Sequence, residues 1–181
     1  MTRQIIIVFA WLLATASPTL AHSFNVVMVV PDQVSPDVHR DMCLAFLVAS
    51  EERDAHANQE SDGHLGGLDV YITIAGLGAR DRINAANPDI LSLPLRGDAT
   101  FDDAVTFGPL NTTSPKAVAF LARPAAPGLA PFAQRFAART GQAPGPEATA
   151  AYLAARQIGV AVRALGGVGD RATLAQLLQG D

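Results

Sequence analysis

Gly76-Leu77-Gly78 follows an apolar, β-branched run and leads into Ala79-Arg80-Asp81. A glycine pair in that place can open a dinucleotide-binding turn, provided a third glycine lets a pyrophosphate reach the start of the next helix. Asp81 stands at the third position, and its carboxylate would repel a pyrophosphate. The two glycines are therefore read as a tight strand-to-helix turn, and no cofactor is expected. His56, Glu60, Asp62 and His64 have the side chains of metal ligands. Their spacing matches no compact metal site, and a polar surface loop accounts for them, so no metal is expected. Cys43 is the sole cysteine, with His39 four residues before it. A helical His–Cys pair needs an oxyanion-stabilising partner to act as a nucleophile, and none is evident. The chain also lacks the G-x-S-x-G and H-E-x-x-H patterns. The expectation is a protein that binds without catalysing.

The elements that must position these residues can be read from pattern. Phe24–Val30 is an apolar run but for Asn25, as in a strand buried on both faces of a parallel sheet. Pro31 ends it. Ser35-Pro36-Asp37 has the chemistry of a helix start: an N-cap hydroxyl, proline at the first helical position and a carboxylate in the first turn. Val38, Met42, Ala45, Phe46 and Ala49 then form one apolar stripe, and Glu51, Glu52 and Arg53 mark a solvated end. His56–Gly67 reads as a polar connection. Leu68–Ala75 is a second strand, Arg80–Ala86 a short helix ended by Asn87-Pro88, and Asp89–Leu95 a third strand. Asp98–Thr113 reads as loop with a brief strand near Ala104–Phe107, Lys116–Leu121 as a fourth strand and Pro124–Pro127 as a linker. Three helices follow: Pro131–Thr140, stopped by Gly141; Glu147–Leu165, stopped by Gly166-Gly167; and a last one capped by Asp170 and running through Leu178. The pattern predicts a three-layer, Rossmann-like α/β domain with a small, mainly parallel sheet of three to five strands.

The first 21 residues read differently. Arg3 precedes the apolar run Ile5–Ala14, which is too short to span a bilayer as a helix, and Thr19-Leu20-Ala21 offers small residues where a signal peptidase cuts. The expectation is a signal peptide over 1–21 and one α/β domain over 22–181, exported to the periplasm. The whole chain carries 13 basic and 17 acidic residues, a net charge of −4. That excess of acid argues against nucleic acid or an anionic membrane as partner. A single cysteine excludes an internal disulfide, so packing alone must stabilise the fold.

The order of pieces in the C-terminal half is the most specific signal. Phe132-x-x-Arg135-Phe136 is followed by Thr140-Gly141-x-x-Pro144, then Ala148-x-x-Ala151-Tyr152-x-Ala154-Ala155, then Ala164-Leu165-Gly166-Gly167, then Asp170-Arg171-x-x-Leu174 through Leu178. This succession resembles the closing segments of type 1 periplasmic solute-binding proteins, the branched-chain amino acid receptors of ABC importers. Thr140 stands where the family has an aromatic residue. Family members have two α/β lobes, whereas this chain has room for about one. The resemblance implies one lobe of such a receptor, working with an importer permease and binding a small polar solute such as an amino acid or carboxylate. The alternative is a shortened relative that binds no solute and serves as a periplasmic protein-interaction or dimerisation module, since a missing lobe would expose an apolar face.

The same resemblance places ligand contacts in the loops after the strands. Those loops offer Asp32, Gln33 and Ser35 after the first strand, Gly78 and Arg80 after the second, and Arg96 with Gly97 after the third. Arg80 or Arg96 can pair with a carboxylate ligand, although solvated surface arginine is the plainer account of both. Ser35 is fully explained by capping. Tyr152 reads as a core or edge aromatic.

Overall fold

The computed structural model describes residues 23–52, 61–93, 117–121 and 128–179. The elements, in chain order, are β1 (Ser23–Val30), α1 (Pro36–Glu51), β2 (Gly63–Leu65), β3 (Leu68–Gly76), α2 (Arg80–Ala85), β4 (Ile90–Leu93), β5 (Val118–Leu121), α3 (Leu129–Thr140), α4 (Pro146–Leu165) and α5 (Arg171–Gln179). The expected signal segment, the loop Asp98–Thr113, the linker Pro124–Pro127, and the residues Arg53, His56, Glu60, Arg96 and Gly97 lie outside the described residues. No helix among the described residues is long and apolar enough to cross a membrane.

The strands form an open mixed sheet in the order β2-β3-β1-β4-β5. β1 lies at its centre because its stretch Val26–Val30 is apolar without alternation, and both of its neighbours pair with it in parallel. β4 and β5 are also parallel, and among the described strands only the three-residue β2 runs antiparallel, against β3. The four parallel strands therefore lie second-first-third-fourth in chain order, an arrangement compatible with a Rossmann-like fold.

Alternation along β1 splits the core in two. Phe24, Val26, Met28 and Val30 join a large cluster with Met42, Ala45, Phe46 and Ala49 of α1, Phe132 and Phe136 of α3, Tyr152, Ala155 and Ile158 of α4, and Leu174 and Leu178 of α5. Val27 and Val29 point the other way, into a smaller cluster with Ala75, Leu91, Leu93 and Ile83 of α2. Among the described residues, helices thus lie on both faces of the sheet, four on one and the short α2 on the other. The expected stripe on α1 is the buried one, with Val38 half-buried at its start.

Local chemistry fixes most boundaries. The Ser35 hydroxyl accepts the Val38 N–H at 3.3 Å and Pro36 occupies the first turn of α1. Gly141 and Gly166 take left-handed conformations just past α3 and α4. Asp170 caps α5 by accepting the Thr173 N–H at 3.1 Å. α3 begins two residues before Pro131, which sits inside its first turn where a missing N–H breaks no helical bond.

One element departs from the pattern reading. Gly63–Leu65, expected within a connection, forms β2. Leu65 pairs with Leu68 across a loop of just Gly66 and Gly67, whose φ angles are +67° and +91°. Two consecutive positive φ values are what a two-residue hairpin requires, and glycine reaches them without a Cβ clash.

Candidate functional site

Val30 and Gly76 are register partners, so β1 and β3 end side by side and their loops leave together. The Leu77 N–H donates to the Val30 carbonyl at 2.9 Å, which holds the two exits in contact. Next in the chain, the Asp32 carboxylate reaches across to β3's exit and accepts the Gly78 N–H, at 2.9 Å to Oδ1 and 3.2 Å to Oδ2. A Cβ on Gly76 would stand 2.2 Å from Asp32 Oδ1, and one on Gly78 would stand 3.0 Å from Oδ2. The two glycines are therefore the seat of the Asp32 side chain. A carboxylate rests where a dinucleotide turn would need open space for a pyrophosphate. The Ala79 N–H closes the turn on the Gly76 carbonyl at 3.0 Å, as expected for a tight strand-to-helix connection.

The remaining site candidates separate by what else they do. Asp32, Gln33 and Arg80 are exposed at this end of the sheet. Arg80 opens α2, its backbone N–H donates to the Gly78 carbonyl at 3.0 Å, and its guanidinium makes no ion pair among the described residues. Ser35 is exposed too, but its hydroxyl is taken up by the cap of α1. Asp32 and Gly78 are thus brought into contact and Arg80 follows within two residues of Gly78, while Arg96 lies outside the described residues.

At the opposite end of the sheet the polar groups serve the fold. Asp89, just before β4, accepts the Asn25 N–H at 3.0 Å and faces Arg171 of α5 at 3.7 Å. The side-chain amide of Asn25 donates to the Asn87 carbonyl at 3.3 Å. These contacts bind β1, β4 and α5 to one another.

The groups weighed for catalysis or metal binding form no site among the described residues. Burial pushes the Cys43 thiol pKa up, and the Asp62 carboxylate adds to the shift, so the thiolate is disfavoured beside His39. The Nε2 of His39 is buried without a hydrogen-bond partner among the described residues. Ser61, His64 and Asp69 converge at the β2–β3 hairpin. Asp69 Oδ1 accepts the Ser61 hydroxyl at 2.9 Å and lies 2.8 Å from His64 Nε2, so the serine donates to the carboxylate and not to the imidazole. No group of three or more His, Cys, Asp or Glu among the described residues could hold a metal ion.

One constellation was not legible in the chain's pattern. Glu52, expected in solvent beyond α1, has a side chain only 15% exposed. It accepts the Tyr152 hydroxyl at 2.8 Å and pairs with Arg135 at 3.3 Å. The Tyr152 ring stacks on Phe132 with 4.0 Å between centroids, and the Arg156 guanidinium lies 5.7 Å from its centroid. Burial raises the Tyr152 phenol pKa, the Glu52 hydrogen bond and charge raise it further, and Arg156 opposes them. In the sequence Tyr152 reads as a core or edge aromatic. Its acidic partner, one hundred residues away, carried no local signal.

Comparison with protein-family models, curated proteins and solved structures yields no match to this chain.

Proposed function

We propose that this chain is a solute-binding component of an ABC-type import system, built as one lobe of a type 1 periplasmic receptor, that holds a small polar solute without covalent chemistry. One observation carries the proposal. The chain crosses from β3, on one side of β1, to β4 on the other. At such a reversal of strand order, ligands of open α/β sheets bind outside the carboxyl ends of the strands. At that end Asp32, Gln33 and Arg80 present polar groups to solvent, whereas at the amino end Asn25, Asp89 and Arg171 are engaged with one another. The importer as partner rests on the resemblance of the C-terminal segments, Phe132 through Leu178. Capture would be by hydrogen bonds and charge from the loops after the strands, with release to a permease.

A thermal-shift screen of the full chain against amino acids and small carboxylates tests this. A ligand present at a hundred times its Kd stabilises by about 2.7 kcal/mol. For a chain of this size that raises Tm by roughly 5–10 °C. No shift at millimolar solute, together with a dimer by light scattering, would refute it and favour the protein-interaction module instead.

A further inference from the structure

We draw no further inference here: the strongest candidate, the outer edge of β3 from Ile72 to Gly76 that the short β2 leaves without a strand partner among the described residues, carries nothing because nothing in the structure shows what covers it.

Discussion

Tyr152 joins three parts of the molecule through one side chain. Its ring stacks on Phe132 of α3 and its hydroxyl donates to Glu52 beyond α1. Tyr152→Phe keeps the stacking and removes the hydroxyl, leaving Glu52 to Arg135. The loss should be about 1 kcal/mol in a urea titration, the net value of a partly buried hydrogen bond. The same residue gives a pH signature. The phenol pKa is raised above its ordinary value of 10.0 in the folded chain. Its contribution is therefore complete below that value and is lost as pH rises through the higher folded one. Tm followed into the alkaline range should fall less steeply in Tyr152→Phe than in the wild type. An identical slope would mean that the hydroxyl does not couple folding to pH.

At the scale of elements, the β2–β3 hairpin and α4 approach each other so closely that two glycines have opposite meanings. Gly66 has φ +67°, and a Cβ there would lie 2.7 Å from the backbone nitrogen of Arg163. Backbone strain and a collision with a helix that cannot yield should make Gly66→Ala destabilising by about 2 kcal/mol or more. Gly159 lies inside α4, and a Cβ there would meet Leu65 Cδ2 at an ordinary 3.4 Å. Gly159→Ala should stabilise by roughly 0.5–1 kcal/mol, because alanine loses less backbone freedom in a helix. Urea midpoints moving in opposite directions would verify the packing of hairpin on helix. A destabilised Gly159→Ala would show that the contact is tighter than this.

Across the whole molecule, stability concentrates in the larger of the two core clusters. Phe46 of α1 is fully buried there. Truncation to alanine removes its apolar surface and leaves a cavity, at a cost of about 3–5 kcal/mol. Small proteins hold only about 5–15 kcal/mol in total, so the variant should melt some 10 °C or more below the wild type. With sheet and four helices sharing that cluster, the urea transition should shift without a change in slope. A second transition would show that α3–α5 separate from the rest. Among the described residues the smaller cluster on the other face takes just Ile83 from α2, so most of their apolar packing lies on one side of the sheet.

Much of this architecture was written locally. Ser35-Pro36-Asp37 started α1, Gly141 and Gly166 stopped α3 and α4, Asp170 opened α5, and the apolar run of β1, interrupted at Asn25 alone, announced a parallel strand buried on both faces. Each signal depends on residues within about one helical turn or one strand, where backbone sterics and hydrogen bonding act without distant partners. The Gly66-Gly67 pair was a local turn signal, but Gly63–Leu65 is too short and too polar to read as a strand on its own. It pairs because Leu65 is buried beside Gly159 of α4.

The site was legible only as a set of loops. The sequence by itself determined that Asp32 and Gly78 both follow strands, and that Asp81 spoils a pyrophosphate turn. It could not determine that Asp32 sits on Gly76 and Gly78, because the bond spans 46 residues and exists only once β1 and β3 are paired in parallel register. The same holds for Glu52 and Tyr152. Side chains of one short polar type are interchangeable along an exposed loop until tertiary contacts supply a particular donor at a particular distance. That step depends on long-range sheet order and helix packing, which no local pattern encodes.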